Sequence, residues 1–275
     1  MRKESLTSVI VTYNSAQVVP HLLADIQRYQ PEQDIIIIDN ASQDQTVCLI
    51  EEQFPQNVFP QIQLIKNSSN LGYARAVNQG VGQCQTDFVL LLNPDIRILG
   101  AEMFNECLAA LSSSPQVAAV APLQFKEEGQ RRRLTFTWSY YSKQAFDIFL
   151  AHRFKRPSNY PGPIQVSFLN AGCLFLRREI FIKVGMLNEK YFLYGEEPDL
   201  GLKFMRYGYT CLLVPQVGVI HHRELSIKSI PLIKQFAIKM TAGRNILDAL
   251  IVGWMRILLD RWSGDRRSTR DFRQE

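Results

Sequence analysis

Asp34-Ile35-Ile36-Ile37-Ile38-Asp39 places four consecutive isoleucines between two aspartates. A short β-branched apolar run without polar alternation predicts a strand that is buried on both faces. Residues 8–13 and 87–92 form similar apolar runs, and each is followed by polar residues. Strands of this kind belong to sheets that helices cover on both sides.

Helical segments separate these strands along the first half of the chain. Residues 18–29 have helical apolar spacing and are followed by Pro31, and a second helix runs to Phe54 with Ser42 or Asp44 as its expected N-cap. Right-handed crossovers through such helices give a doubly wound, mainly parallel central sheet of the α/β class. The other elements predicted in this half are helices at 73–82 and 101–111 and strands at 63–66 and 117–122.

The regular pattern weakens between Phe125 and Pro163, which predicts a surface excursion over the edge of the sheet. Beyond it the sequence predicts strands at 166–168, 173–176, 210–214 and 217–220 and helices at 178–184 and 198–207. Apolar residues then recur at helical spacing beside arginines, which is typical of an amphipathic basic helix. We therefore expect one α/β domain over residues 1–226, in two halves that meet near residue 122, and a helical extension over residues 227–275.

Composition and charge restrict the class of protein. The 275 residues are 46% hydrophobic and 21% charged, with a net charge of +5, which is ordinary for a globular protein. The five cysteines form no CxxC pair, and the chain has neither an apolar N-terminal segment nor an apolar run of about 18 residues. These features favour a soluble cytoplasmic protein with free thiols. No nucleic-acid-binding motif, GxGxxG fingerprint or P-loop is present, so nucleic acid is not an expected partner.

Polar residues collect where the predicted strands end. Asn14, Asp39 and Asp95 all follow apolar runs, and parallel sheets bind ligands at the carboxyl ends of their strands. A nucleoside diphosphate at such an edge needs a hydrogen-bonding partner for its base and neutralisation of its phosphates. A divalent metal held by a carboxylate and an imidazole bridges phosphate oxygens and stabilises a developing negative charge.

Six motifs follow one another along residues 7–226. They are Val11-Thr12-Tyr13-Asn14, Ile38-Asp39-Asn40-Ala41-Ser42-Gln43-Asp44, Asn70-Leu71-Gly72-Tyr73-Ala74, Leu91-Leu92-Asn93-Pro94-Asp95, Phe192-Leu193-Tyr194-Gly195-Glu196-Glu197-Pro198-Asp199-Leu200 and His221. Each motif alone is weakly specific, but the ordered set resembles glycosyltransferase family 2, and within it the bacterial rhamnosyltransferase-like branch. The resemblance implies the GT-A fold, a nucleotide-binding half over about residues 1–122 and an acceptor half over about 123–226.

The resemblance also implies a role for each matching residue. Asp95 and His221 would hold a divalent metal, Mn²⁺ or Mg²⁺. Glu197 would deprotonate the acceptor hydroxyl, with Glu196 and Asp199 as its alternatives beside it. The residues expected to bind the nucleotide-sugar are Thr12, Tyr13, Asn14, Asp39, Asn40, Asn70, Gly72, Asn78, Asn93, Asp95 and Gly172.

Purely structural interpretations exist for several of these residues. Asn93-Pro94-Asp95 is also a typical turn, and Asp39 and Asp44 are also typical loop or capping acids. Acids around Pro198 are stabilised at the start of a helix whatever they do. Three positions depart from the family pattern, because Asn93 replaces a first acid, Glu197 replaces the commoner Asp, and Asn188 replaces an acid.

The expected activity is inverting transfer of a sugar, with dTDP-rhamnose as the first choice of donor and another dTDP- or UDP-sugar as alternatives. The acceptor would be a hydroxyl of a glycan or lipid-linked sugar in cell-surface polysaccharide synthesis. Three roles are open for the predicted basic helix at 227–275. It would pack on the catalytic domain, bind the cytoplasmic face of the membrane, or join two copies of the chain in a homodimer. Two other functions stay open: a sugar-phosphate nucleotidyltransferase, although the loop at 14–17 lacks the Gly-rich basic pattern, and a catalytically silent binding protein.

Overall fold

The computed structural model describes residues 5–128, 131–134 and 162–222. Within these ranges the chain forms ten strands and six helices. In chain order they are β1 (Leu6–Thr12), α1 (Val19–Tyr29), β2 (Asp34–Asp39), α2 (Thr46–Gln53), β3 (Ile62–Lys66), α3 (Tyr73–Gln83), β4 (Phe88–Leu92), β5 (Ile96–Ile98), α4 (Glu102–Ser112), β6 (Val117–Glu128), β7 (Arg131–Leu134), β8 (Ile164–Val166), β9 (Cys173–Arg177), α5 (Arg178–Lys183), α6 (Glu196–Arg206) and β10 (Thr210–His221).

All ten strands join one sheet, whose main path runs β3-β2-β1-β4-β9-β6-β10-β5. The strands β3, β2, β1 and β4 are parallel neighbours, and β6 and β10 are parallel to each other. The strand β9 lies antiparallel between β4 and β6. The predicted α/β class with a mainly parallel central sheet is confirmed, and the antiparallel insertion of β9 is an addition that the sequence did not indicate.

The isoleucines of β2 show how the sheet is covered on both faces. Ile36 and Ile38 belong to one apolar core, and Ile35 and Ile37 belong to the other. This division follows from the alternation of side chains along a strand. Helices α3, α5 and α6 contribute to the first core, and α1, α2 and α4 contribute to the second. The sheet is therefore doubly wound, as predicted.

Several boundaries differ from those predicted. β5 was not predicted, since three residues are too few to give a periodic signal. Residues 210–221 form one strand instead of two, with a register shift between Val214 and Gly218 at the place where Pro215 lacks a backbone donor. Gln45, not Ser42 or Asp44, is the residue at the N-cap position of α2.

Other predictions concern residues outside the described ranges. Most of the predicted surface excursion, the domain boundary at residue 226 and the helical extension at 227–275 lie outside them. Within residues 5–128, 131–134 and 162–222, no helix has both the length and the apolar character needed to cross a membrane.

Candidate active site

The carboxyl ends of β1, β2 and β4, together with the loops that follow them, form one edge of the sheet, here called the strand-end rim. Thr12 at the end of β1 pairs with Asp39 at the end of β2, and Ile10 pairs with Leu92 at the end of β4. Neighbouring strands lie about 4.8 Å apart, so the ends of β2 and β4 are about 10 Å apart. The rim therefore brings the β2 motif and the Asn93-Pro94-Asp95 motif to one place, as predicted.

Asp39 is the buried centre of the β1–β2 part of the rim. It is 2% exposed, and its carboxylate accepts hydrogen bonds from the Thr12 hydroxyl at 2.9 Å and from the Ser42 backbone N–H at 2.9 Å. The Ser42 hydroxyl donates to the same carboxylate. These bonds fix the orientation of the Asp39 carboxylate at the end of β2. A carboxylate oriented in this way is able to accept a hydrogen bond from an N–H group of a nucleotide base.

The loops after β1 and β2 are held together in an unusual backbone conformation. Asn14 and Ala41 have φ angles of 51° and 62°, in the left-handed region that residues with a Cβ rarely adopt. Asn14 accepts a hydrogen bond from the Gln43 backbone at 2.8 Å, and its own N–H donates to Ser42 at 2.9 Å. Tyr13 is partly exposed beside them. Such strain persists where the surroundings enforce it, and it often marks a functional loop.

Gly72 joins the strand-end rim to the segment that leads into α6. Its φ is 84°, and a Cβ placed on it would lie 2.8 Å from the backbone oxygen of Phe192. Asn70 accepts a hydrogen bond from the Gly72 N–H at 2.9 Å, and the Asn40 side chain donates to the Gly72 carbonyl at 3.2 Å. The predicted residues Asn40, Asn70 and Gly72 therefore form one connected group.

Asn78 lies apart from this group. Its side-chain nitrogen donates to the Leu187 carbonyl at 2.9 Å and to Glu189 at 3.1 Å, and its side-chain oxygen accepts from the Leu187 N–H at 3.1 Å. Both polar atoms of the amide are thus used to hold the segment at 187–189. These bonds give Asn78 a packing role, and its place at the border of the nucleotide site stays a prediction.

Asp95 and His221 come together although they are far apart in sequence. β5 pairs antiparallel with β10, and His221 lies opposite Ile96, the residue after Asp95. The Asp95 Oδ1 and His221 Nε2 atoms are 3.3 Å apart, and both residues are 4% exposed. Asn93 contributes its side-chain nitrogen 3.4 Å from the same His221 Nε2 atom. The two residues predicted to hold a metal are therefore brought together at the strand-end rim.

Two further residues determine where the His221 ring lies. Gln124 in β6 is fully buried, and its Oε1 atom lies 2.9 Å from His221 Nδ1. A Cβ placed on Gly172 would lie 2.6 Å from His221 Cε1, so only glycine permits this approach. Gly172 was predicted to be near the sugar, whereas Gln124 was not predicted at all. The one signal for Gln124 is an amide in the otherwise apolar segment of β6.

The chemistry of the Asp95–His221 pair suits a divalent cation. Two ligands of one cation, each bonded at about 2.1 Å, lie about 3.0–3.4 Å apart, which matches the spacing of these two donor atoms. Within the part of the chain that the structure describes, no cluster of three or more His, Cys, Asp or Glu side chains is suited to a metal. Asp95 and His221 are therefore the described residues that could hold a divalent cation together.

Glu196 occupies the buried side of the start of α6. It is 3% exposed, and its Oε2 atom has no hydrogen-bond partner among the described residues. Burial, followed by the negative charge of Glu197, raises the pKa of Glu196 from 4.5 to about 8, although a backbone hydrogen bond opposes the change. Burial therefore favours the protonated form of Glu196.

Glu197 is partly exposed, and a turn from the other side of the site orients it. Its Oε1 atom accepts a hydrogen bond from the Ala171 backbone N–H at 2.9 Å. The Tyr73 hydroxyl donates to the Ala171 carbonyl at 3.3 Å, and burial, together with the charges of Glu196 and Glu197, raises the pKa of Tyr73. Tyr73 is thus a second residue near the site to which no role was assigned from the sequence.

Asp199 differs from Glu196 and Glu197 in that it lies close to a lysine. Its carboxylate lies 3.3 Å from the Lys203 ammonium group, one helical turn later in α6. An ion pair of this spacing is a common stabilising feature of helices. The geometry therefore favours Glu197 over Asp199 as the candidate base.

The turn at Asn170-Ala171-Gly172 connects the two sides of the site. The Ala171 N–H binds Glu197, and Gly172 lies against His221. The Gly172 carbonyl accepts a hydrogen bond from the Asn93 N–H at 2.9 Å. A base candidate and a metal-site candidate are thus held by neighbouring residues of one turn, which suits the attack of a hydroxyl on a carbon from which a phosphate departs.

The doubly wound sheet is that of the GT-A fold, which solved glycosyltransferase structures share. The chain belongs to glycosyl transferase family 2, whose family model matches residues 7–185. The predicted family is confirmed.

One similar curated protein is the N-acetylglucosaminyl-diphospho-decaprenol L-rhamnosyltransferase of Mycobacterium tuberculosis. It is 26% identical over 246 residues, which cover 80% of this chain and 77% of that protein. This similarity supports the rhamnosyltransferase-like branch of the family.

Two solved structures share the fold. GalNAc-T7 with UDP, GalNAc and Mn²⁺ has a TM-score of 0.65 at 15% identity over 80% of this chain. The mannosyltransferase PcManGT of Pyrobaculum calidifontis, in complex with GDP-Man and Mn²⁺, has a TM-score of 0.58 at 16% identity, also over 80% of this chain. This chain spans 44% of the first protein and 58% of the second. At these identities the likeness shows the fold.

Proposed function

We propose that this chain is a metal-dependent inverting glycosyltransferase that moves a sugar from a nucleotide-sugar to a hydroxyl of a glycan or lipid-linked acceptor. One observation carries the proposal: the turn at 170–172 contacts both the Asp95–His221 pair and Glu197. Membership of glycosyl transferase family 2 supports the same activity.

In the proposed reaction the strand-end rim binds the nucleotide. Asp39, oriented by Thr12 and Ser42, accepts a hydrogen bond from the base. Asn40, Asn70 and Gly72 border the nucleotide on the side that faces α6. Asp95 and His221 hold the divalent metal, which when bound supplies Lewis-acid stabilisation of the negative charge on the departing diphosphate.

Glu197 takes the proton of the acceptor hydroxyl in a single displacement. The Ala171 N–H fixes one oxygen of its carboxylate, so the orientation of the base is set before the acceptor arrives. Burial and the charge of Glu197 raise the pKa of Glu196 to about 8, which favours its protonated form. The oxygen of the acceptor then attacks the anomeric carbon from the face opposite the diphosphate, which inverts the configuration.

We choose dTDP-rhamnose as the first donor to test and a lipid-linked sugar as the first acceptor. The similarity to the mycobacterial L-rhamnosyltransferase supports this choice, and UDP-sugars are the alternative donors. We further propose that the protein is cytoplasmic, and that residues 227–275 attach it to the cytoplasmic face of the membrane or join two copies. Their basic, amphipathic sequence supports both forms of attachment.

The direct test is transfer from a panel of nucleotide-sugars with Mn²⁺, with Mg²⁺ and with EDTA. Asp95→Ala is expected to lower turnover on the order of 100-fold or more, and Glu197→Gln about 10²–10⁴-fold. Glu179→Gln, which removes an exposed carboxylate from the first turn of α5, is the matched control and should keep full activity. Undiminished turnover in Asp95→Ala and Glu197→Gln would contradict the assigned roles.

The same panel separates the proposal from its two alternatives. Release of pyrophosphate from a nucleoside triphosphate and a sugar phosphate would identify a nucleotidyltransferase. Binding of donors without hydrolysis or transfer to any acceptor would identify a silent binding protein.

A further inference from the structure

Gln124 places a polar amide in the middle of the buried sheet. It lies in β6 between Leu123 and Phe125 and is 0% exposed. Burial of an amide is unfavourable unless its polar atoms find partners. The Oε1 atom lies 2.9 Å from His221 Nδ1, and the Nε2 atom donates to the Asn170 carbonyl at 3.4 Å. Both ends of the amide therefore contact the candidate active site.

The Asn170 contact fixes which end of the amide faces the histidine. A backbone carbonyl only accepts hydrogen bonds, so the amide nitrogen of Gln124 must face Asn170 and its oxygen must face His221. The amide oxygen in turn only accepts, so the hydrogen of the neutral imidazole must be on Nδ1.

This tautomer determines what the other ring nitrogen offers. With the hydrogen on Nδ1, the Nε2 atom of His221 presents a lone pair towards Asp95 Oδ1 at 3.3 Å. The Asn93 side-chain nitrogen, at 3.4 Å, is able to donate to the same lone pair. The opposite tautomer would place two lone pairs 2.9 Å apart, on Nδ1 and on Gln124 Oε1. In the neutral ring Gln124 thus leaves the Nε2 lone pair available to a cation.

We propose that Gln124 is a positioning residue that sets the tautomer and ring orientation of His221 and thereby raises the affinity of the site for a divalent cation. The inference rests on the metal site of the proposed function. It adds a specific partner behind the metal ligand, 97 positions away in sequence. Mutation of a residue that hydrogen-bonds to a metal ligand typically lowers metal affinity 10–100-fold.

Gln124 also joins the metal side to the base side. The amide that contacts His221 donates to the carbonyl of Asn170, and the next residue, Ala171, binds Glu197. Gly172 completes the turn by leaving room for the His221 ring. One buried side chain therefore contacts the histidine and the turn that orients the base.

The unaltered protein provides the first test. Long-range ¹H–¹⁵N correlation spectra of the metal-free protein, at a pH where the histidines are neutral, report which nitrogen of each ring carries hydrogen. His221→Asn assigns the His221 signals among the four histidines of the chain. We expect the Nδ1–H form for His221. A dominant Nε2–H form would overturn the inference, and this measurement does not depend on whether any Gln124 variant folds.

Two variants provide the second test, in which free Mn²⁺ is measured by electron paramagnetic resonance in the presence of saturating dTDP. Gln124→Met keeps the size of the side chain but removes both polar atoms, and it should weaken Mn²⁺ binding about 10–100-fold. Gln124→Glu keeps an acceptor oxygen for the Nδ1 hydrogen and should bind Mn²⁺ at close to the wild-type affinity. The affinity for dTDP in EDTA is the control and should be the same in all three proteins.

The outcomes distinguish this inference from the proposed function. If the wild type binds Mn²⁺ with dTDP and Gln124→Met binds it equally well, Gln124 is only a packing residue and the inference is wrong. Equal losses in Gln124→Met and Gln124→Glu would also contradict it, because the acceptor oxygen would not matter. Failure of the wild type to bind Mn²⁺ would contradict the proposed metal site itself.

Discussion

Glu196 is the residue whose ionisation the fold changes most clearly among the carboxylates of α6. Its pKa is raised from 4.5 to about 8, mainly by burial. Between these two values the unfolded chain releases the proton while the folded protein keeps it. The contribution of Glu196 to the stability is therefore fully present below about pH 4.5 and is lost as the pH rises through about 8.

The corresponding prediction concerns the pH dependence of unfolding. Glu196→Gln should stabilise the protein relative to wild type at about pH 9, and this difference should be smaller at about pH 5. Urea unfolding at the two pH values measures the free energy of unfolding for both proteins. Glu179→Gln, which replaces an exposed carboxylate, serves as the control. An equal effect of Glu196→Gln at both pH values would show that the buried carboxyl does not titrate in this window.

Gly172 gives a second prediction at the scale of a single residue. Gly172→Ala puts a methyl group 2.6 Å from His221 Cε1 and 2.8 Å from Asn170 Oδ1, so the ring or the turn must move. We expect a cost of about 1–3 kcal/mol in stability and a clear loss of Mn²⁺ affinity. Gly162→Ala, whose new methyl group would meet nothing within 4 Å, is the control. If Gly172→Ala binds Mn²⁺ with wild-type affinity, then either His221 is not a metal ligand or the turn at 170–172 shifts while the His221 ring keeps its position.

The sequence predicted more about some residues of the site than about others. Asn14, Asp39 and Asp95 were predictable as strand-end residues because each follows an apolar run, where a parallel sheet collects ligand groups. Thr12 and His221 were expected at the site only from the resemblance to the family. Gln124 was not predictable, because its meaning depends on a contact with a residue 97 positions away. A single polar residue in an apolar strand does not indicate its partner.

Helix α3 packs against the sheet with one glycine, Gly80, and exposes another, Gly82. Gly80 faces the sheet, where an added Cβ would lie 2.5 Å from Val9 Cγ1. Gly82, two residues later in the same helix, is exposed, and a Cβ there would meet nothing within 4 Å. The same substitution should therefore have opposite effects at the two positions.

This pair gives a prediction about α3 as a whole. Gly82→Ala should stabilise the protein by about 0.5–1 kcal/mol, because alanine favours the helix and loses less backbone entropy. Gly80→Ala should destabilise it by about 1–3 kcal/mol, since the methyl group pushes the helix off β1. Denaturant unfolding of the two variants is the measurement. A stabilising Gly80→Ala would contradict the close packing of α3 on the sheet.

The boundaries of the elements show where local patterns fail. The helix α6 begins at Glu196 instead of Pro198, since Gly195 with a φ of 99° starts the helix and proline is tolerated within the first turn. β5 exists because β10 pairs with it, not because of its own sequence. Strand pairing is a long-range property, and a segment of three residues carries too little signal to predict it.

At the scale of the molecule, the fold class was predictable and the strand order was not. Apolar strands alternating with helices require a doubly wound sheet, but the antiparallel insertion of β9 between β4 and β6 depends on how two distant segments meet. That insertion matters for the site. It places the turn at 170–172, just before β9, next to the end of β4 and so next to Asn93.

The most direct test of the central claim is a calorimetric titration of dTDP and of UDP into the protein, in Mn²⁺ and in EDTA. For the nucleotide that binds better, we expect at least about tenfold tighter binding in Mn²⁺, since Asp95 and His221 would hold a cation that offsets the charge of the diphosphate. The gain should disappear in Asp95→Asn, while binding in EDTA should be unchanged. Equal affinities in Mn²⁺ and in EDTA for the wild type would contradict a metal-dependent nucleotide-sugar site at the strand-end rim.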